Sequence, residues 1–283
     1  MIQSMTGYGK SEVQLASRKI SIEIKSLNSK NLDINARFPV LYKEKEIEVR
    51  KWLSKELQRG KIDLSFYIES SGEETSTRIN TGVVEGYLAQ LEGIRNEADI
   101  LSIAMRLPDV LKTEREELDE SEWQMIEGGI AKAIVQLNDF RSSEGNQLKL
   151  DFELRISLLQ EKLAQVVEID PIRLDAVRIR LDKAIQEIQV NVDENRFEQE
   201  LIYYLEKFDI TEEKVRLNNH LDYFIESLNQ SDSNGKKLGF ISQEIGREIN
   251  TIGSKANFAP MQKVVVEMKD ELEKIKEQLL NVL

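Results

Sequence analysis

The sequence predicts an α+β protein with three parts: a small antiparallel β-sheet with helices at the N-terminus, a long helical hairpin arm, and an all-α C-terminal part ending in a heptad-patterned helix. Three patterns predict it. Short segments before residue 70 alternate apolar and polar residues, helical spacing takes over after residue 80, and the last helix steps its apolar residues alternately by four and three.

The first alternating segment is Lys19 to Lys25, with Ile20, Ile22 and Ile24 on one face and Ser21, Glu23 and Lys25 on the other. Leu32, Ile34 and Ala36 against Asp33, Asn35 and Arg37 repeat it, and the polar stretch 26–31 between them predicts a hairpin or close meander. Pro39 ends that strand; Leu41 to Leu57 is helical in spacing, and Arg59-Gly60 stops it. Ile62, Leu64, Phe66 and Ile68 then alternate with Asp63, Ser65, Tyr67 and Glu69. The sheet so formed has a polar face carrying Glu23, Lys25, Asp33, Asn35, Arg37, Asp63 and Tyr67, which reads more readily as a face left in water than as a recognition surface.

After a polar stretch with Ser70-Ser71-Gly72 at its tip, helices are expected from Thr81, from Pro108 and from Ser121 toward Gly145. Leu148 to Val167 follows, Asp170-Pro171 reads as a tight turn, and a second long helix runs to about Val190, giving the hairpin arm. In the last helix Met261, Val265, Met268, Leu272, Ile275, Leu279 and Val282 form a coiled-coil seam that fits a helix of the same chain slightly better than a partner subunit. The expected division is 1–155 for the N-terminal α+β domain, 156–206 for connecting long helices, and 207–283 for a C-terminal helical domain carrying the charged motifs.

At 283 residues the chain is long enough for more than one core, and with no cysteine it offers no disulfide, thiolate metal site or thiol nucleophile. The start Met1-Ile2-Gln3-Ser4 lacks the basic and apolar regions of a secretory signal, and no apolar run is long enough to span a bilayer, so the expectation is a cytoplasmic protein away from membranes. A formal charge of -12 argues against a generic polyanion binder. Any nucleic-acid site must be local, built by clustered basic groups or a divalent cation beside carboxylates.

The densest polar chemistry is Glu244-Ile245-Gly246-Arg247-Glu248-Ile249-Asn250-Thr251-Ile252-Gly253-Ser254-Lys255. On a helix Glu244, Arg247, Glu248 and Thr251 share one stripe, with Lys255 a turn further along it, opposite an apolar surface of Phe240, Ile241, Ile245, Ile249 and Ile252. A solvated face of Glu-Arg pairs is the competing reading. Upstream, Thr211 suits an N-cap, Leu217, Leu221, Phe224 and Leu228 make a buried stripe, and Glu213, Arg216 and His220 share the neighbouring face. His220 is the only histidine, the residue type best suited to proton exchange near neutral pH, and Arg216 one turn earlier offers a bidentate partner for a phosphate or carboxylate.

Ser4-Met5-Thr6-Gly7-Tyr8-Gly9, Arg141 with Glu144-Gly145, Asp193-Glu194-Asn195-Arg196, Thr211-Glu212-Glu213 with Arg216 and His220, and Arg247-Glu248 with Asn250-Thr251 and Gly253-Ser254-Lys255 resemble the YicC/YloC family of bacterial endoribonucleases from residue 4 to the C-terminus. The resemblance implies a metal-dependent, manganese-favouring endoribonuclease, with magnesium as the alternative cation, assembled as a ring-like homohexamer around RNA. It places the family's C-terminal signature on Glu244, Arg247, Glu248, Asn250, Thr251, Ser254 and Lys255, and the preceding helix on Glu213, Arg216 and His220. Three departures stand out: Asn28-Ser29-Lys30 replaces a commoner Asn-His-Arg, Gly246 a commoner Asn, and Phe258 a frequent acidic residue.

The chemistry expected is phosphodiester cleavage with a cation on Glu244, Glu248 and Glu213. Arg216 and Arg247 would meet transition-state charge, and His220 would transfer a proton. Asn250, Thr251, Ser254 and Lys255 are expected along the RNA, with Lys25, Asn28 and Lys30 as further RNA contacts. A non-catalytic RNA-binding or adaptor assembly, in which the carboxylates only organise the basic groups, is the rival.

Overall fold

The computed structural model describes residues 2–70, 77–91, 100–113, 119–188, 194–230 and 234–283. The expected tip residues Ser71 and Gly72, and Asp193 of the third motif, lie outside them. The described chain divides into two compact units: residues 8–26 with 31–137, and residues 1–7 with 27–30 and 138–283.

The first of these holds a four-stranded sheet of β1 (Gly7–Gln14), β2 (Arg18–Leu27), β3 (Leu32–Arg37) and β4 (Gly60–Ser70), in the order β1-β2-β4-β3. Ile20, Ile22, Ile24, Ile62 and Leu64 are buried on one face, as their alternation predicts. Two expectations fail. β4 lies between β2 and β3, so those two do not form a hairpin, and β3 runs parallel to β4, pairing Leu32 with Gly60 and Ile34 with Ile62, so the sheet is mixed. A parallel pair needs a crossover long enough for a helix, and residues 38–59 supply it with a 3-10 turn (Val40–Lys45) and α1 (Glu46–Leu57), whose Val49, Leu53 and Leu57 are buried.

The polar sheet face pairs largely within itself: Lys25 with Glu23 at 3.2 Å and Asn35 with Asp63 at 2.8 Å. α2 (Thr81–Leu91) begins where expected, and α3 (Ile100–Ala104) follows. Pro108 does not open a helix. It sits in a turn with Asp109 at φ 62, leading into β6 (Leu111–Thr113), which pairs antiparallel with β5 (Thr77–Ile79). Pro is compatible with either role, and the pairing partner decides between them.

α4 runs without interruption from Glu120 to Ile188. Asp119 starts it, its carboxylate accepting from the Ser121 N–H at 2.9 Å and hydroxyl at 2.8 Å. Trp123, Ile126, Ile130, Ala133 and Leu137 are buried in the sheet-bearing core, and Phe152, Ile156, Leu159, Leu163 and Val166 in the other. The turn expected at Asp170-Pro171 is therefore absent, and with it the hairpin at that point: Pro171 lies inside the helix. An internal proline costs about 3 kcal/mol. The offset is a buried ionic knot, since Asp170 meets Arg173 at 2.7 Å and Lys214 at 2.8 Å while Arg173 also donates to the Phe208 carbonyl at 2.8 Å. The segment is pinned in helical form by contacts that lie far away in sequence.

α5 (Glu194–Lys207), α6 (Thr211–Leu228), α7 (Gly235–Lys255) and α8 (Ala259–Leu279) complete the chain. Every residue of the expected heptad seam, Met261 through Val282, is buried in the core of this unit, so the seam packs on its own chain. Of the apolar surface expected on α7, Ile241, Ile245, Ile249 and Ile252 are buried, but Phe240 is 58% exposed. No helix of the described residues is long and apolar enough to cross a membrane.

Candidate active site

α6 and α7 pack antiparallel through Leu217, Leu221, Ile245, Ile249 and Ile252. The register is fixed at one end by Lys255, whose ammonium donates to Glu213 Oε1 at 2.7 Å and to the Asp209 carbonyl at 2.9 Å. Seven residues along each helix, His220 comes opposite Glu248. Ligand atoms of His220, Glu244 and Glu248 all lie within 4.8 Å of one another.

The cluster contains three of the residues singled out from sequence, and Glu213 is not among them. Seven residues of helix rise separate Glu213 from His220 by about 10 Å. Glu248 is 4% exposed as a residue, and among the described residues no donor bonds to its carboxylate, whose oxygens keep some access to solvent. Two carboxylates this close repel each other, and a cation between them offsets that repulsion. One imidazole and two carboxylates form a mixed nitrogen and oxygen donor set of the kind that can hold a divalent cation.

The other predicted residues surround the cluster unevenly. Arg247 pairs with Glu244 at 3.8 Å and is otherwise solvent-facing. Arg216 pairs with Glu212 on its own helix, both side chains largely exposed. Thr251 donates its hydroxyl to the Arg247 carbonyl at 3.0 Å, and Ser254 to the Thr251 carbonyl at 2.9 Å, so both can accept but have no proton left to give. Lys255 is engaged with Glu213 and Asp209. Asn28 donates to the Leu280 carbonyl at the end of α8 at 2.6 Å, and Lys30 lies exposed two residues on. Lys25 belongs to the sheet-bearing unit, where Glu23 raises its pKa through a hydrogen bond.

A groove of about 570 Å³ runs along α7, linked to the cluster through Arg247, which lines it and pairs with Glu244. Arg247, Asn250, Thr251 and Ser254 line one wall together with Gln243, over the bare backbone of Gly246, and α8 contributes Lys276. Gln243 and Lys276 were missed from sequence. Lys276 reads there as one of the charges keeping the final helix wet, and only the packing of α8 on α7 assigns it to the groove. Asp170 and Arg173 were missed as well, because Asp-Pro reads as a turn.

Residues 2–150 match the family described as Endoribonuclease YicC-like, N-terminal region, and residues 166–283 match Endoribonuclease YicC-like, C-terminal. The chain belongs to the YicC-like endoribonuclease family. Among relatives of this family, a protein of Clostridioides difficile (strain 630) called probable endoribonuclease YicC is 34% identical over 292 residues, covering 100% of both chains. One of Haemophilus influenzae with the same name is 29% identical over 287 residues, again covering 100% of both. The YicC-like C-terminal match contains the whole His220, Glu244 and Glu248 cluster, the groove and the Glu213–Lys255 pair.

Proposed function

We propose that this chain cleaves phosphodiester bonds within RNA at the His220, Glu244 and Glu248 cluster, with a divalent cation, manganese ahead of magnesium, held by those three side chains. The observation that carries the reading is their convergence within 4.8 Å, linked through Arg247 to the groove that it lines with Asn250. The names of full-length relatives supply the reaction class.

A cation held there supplies Lewis-acid polarisation of a phosphoryl oxygen and a lowered pKa for a bound water. Glu244 and Glu248 would hold it, with Glu244 paired to the groove residue Arg247. Arg247, tethered only by a long ion pair to Glu244, can turn its guanidinium onto the non-bridging oxygens as charge builds there. The Asn250 amide orients the neighbouring backbone. His220 sits at the same point, where it either ligates or passes a proton between the attacking and leaving oxygens. Glu213, neutralised by Lys255, holds the two helices in register. The reading includes a homohexameric ring working in the cytoplasm, which rests on the family resemblance; light scattering at six times the 32.6 kDa chain mass tests the ring.

The experiment is purified protein with end-labelled RNA, with manganese or with EDTA, and mapping of product ends. Manganese-dependent cleavage that falls roughly 10²-fold or more in Glu248→Gln is expected. A folded Glu248→Gln protein that cleaves like the parent at limiting manganese overturns the cation site. RNA retained in EDTA with no product under any metal selects the adaptor reading. A 2′,3′-cyclic phosphate identifies attack by the ribose hydroxyl, and a 5′-phosphate attack by water.

A further inference from the structure

The groove along α7 differs from the rest of this acidic chain: among the described residues none of its lining side chains is a carboxylate. Two of its donors are also unspent, and a third is only loosely held. Among the described residues the amides of Gln243 and Asn250 have no hydrogen-bond partner within the protein, and Arg247 has only Glu244 at 3.8 Å. Two amides without an internal acceptor, beside a guanidinium held only by a long ion pair, form a surface for an anion with several oxygens.

The far wall is α8. Lys276 reaches α7 at Gly246: a Cβ added at Gly246 would lie 3.7 Å from the Lys276 ammonium and 3.1 Å from Leu272 Cδ2. The missing side chain is what lets that ammonium lie over α7. Its recorded partner is Glu273 on its own helix at 2.7 Å, an exposed pair of the kind that contributes little and exchanges readily. One turn beyond Lys276, the Leu280 carbonyl takes the Asn28 amide, so the loop bearing exposed Lys30 abuts the same end of α8.

We infer that Lys276 is a substrate-positioning residue, which leaves Glu273 to bind a phosphate of the RNA strand one or more nucleotides from the scissile bond, with Gln243 and Asn250 holding the adjoining phosphate oxygens. The inference rests on the proposed RNA cleavage and extends its site from two helices to three. A phosphodiester fits better than an acidic peptide because the free donors are amides and a guanidinium lining one continuous wall. Lys276 touches none of the reacting groups. Its loss weakens the hold on the strand and leaves the cluster chemistry in place.

The test measures binding of a fluorescein-labelled single-stranded RNA by polarisation in EDTA across a salt series, with full-length protein. Lys276→Ala should raise Kd roughly tenfold and lessen the slope of log Kd against log salt by about 0.7, the share of one phosphate contact on a single strand. Lys276→Arg should restore most of both. Glu273→Gln, which frees the ammonium, should tighten binding, a change that a purely structural lysine would not produce. Lys274→Ala, which breaks the pair with Glu271 on α8, is the control and should match the parent. If Lys276→Ala keeps the parent's Kd and slope, or Glu273→Gln fails to tighten binding, the inference is overturned while the cleavage reading stands. If the parent itself neither binds nor cleaves RNA, both fall. Tighter binding of an acidic peptide than of RNA, lost in Lys276→Ala, would assign the groove to a protein partner instead.

Discussion

The Lys255 ammonium bridges Glu213 Oε1 at 2.7 Å and the Asp209 carbonyl at 2.9 Å, so the last turn of α7 clamps the first turn of α6. The Glu213 side chain is 7% exposed, and among the described residues its Oε2 has no hydrogen-bond partner. Such a carboxylate depends on its one cation. The clamp therefore fixes the register that, two turns on, sets His220 against Glu248.

Lys255→Met keeps the aliphatic stem and removes the ammonium. Breaking a buried pair usually costs 3–5 kcal/mol; Lys255 is about a third exposed, so a loss of roughly 2–3 kcal/mol is expected. Urea unfolding measures it. Adding Glu213→Gln should recover part of the loss, because no uncompensated charge is then left inside. Strictly additive losses in the double variant would show that the two groups are not coupled.

The same geometry separates the two acidic residues that a helical wheel cannot. Glu213→Gln should leave manganese affinity within about threefold of the parent, since it sits two turns away from the cluster, whereas Glu248→Gln should lower it at least tenfold by removing a charged ligand. Titration of free manganese by electron paramagnetic resonance on the full chain reads both. Equal losses in the two variants would mean that Glu213 shares the ion.

The difference marks how far the sequence can be read. Spacing within one helix put Glu244 with Glu248, Glu213 with His220, and Leu217, Leu221, Phe224 and Leu228 on a buried stripe, because 3.6-residue periodicity is a property of the helix alone. It carries no register between helices, so it could not tell that Lys255 meets Glu213 or that Lys276 reaches Gly246. Alternation found β2, β3 and β4 and their buried faces, but strand order depends on partners; the helix between β3 and β4 was the one local hint of a parallel pair. Pro171 misled for the same reason, since its helical state is held by Asp170, Arg173 and Lys214, three residues on two helices.

Gly145 predicts a large and purely steric effect. A Cβ there would lie 2.1 Å from the Ile2 carbonyl oxygen and 2.9 Å from Gln3 Cα, backbone atoms held in place by the Ser4 N–H to Arg141 carbonyl bond at 3.0 Å. The nearby Arg141 is almost fully buried, and desolvation lowers its pKa to about 10, so this packing has little room to relax. Gly145→Ala should cost roughly 3 kcal/mol or more despite the better helix propensity of alanine. Gly86→Ala, where an added Cβ meets nothing within 4 Å, should instead be neutral or stabilising. Thermal unfolding of the two variants checks the contrast, and similar melting temperatures would refute the close backbone approach.

Asp209 supplies the pH prediction. Thr211 rather than capping α6 is itself held: its hydroxyl donates to Asp209 Oδ1 at 2.7 Å and its N–H at 3.0 Å, the arrangement that Asp119 and Ser121 use at the start of α4. The Thr211 hydroxyl bond, with its N–H and the nearby Lys214 and Lys255 charges, holds the Asp209 carboxyl below its ordinary 3.8, against a smaller opposing effect of burial. A folded-state pKa that is lowered gives stability at pH values above 3.8, and that stability disappears as pH falls through the lower folded value. Asp209→Ala should thus be about 1 kcal/mol less stable than the parent at pH 7, with the gap unchanged at pH 5.5 and narrowing below about pH 4 as the parent's carboxylate takes up its proton. Urea midpoints at pH 7, 5.5 and 3.5 measure this. A gap that stays constant down to pH 3 would mean that the cap acts through its shape and not its charge.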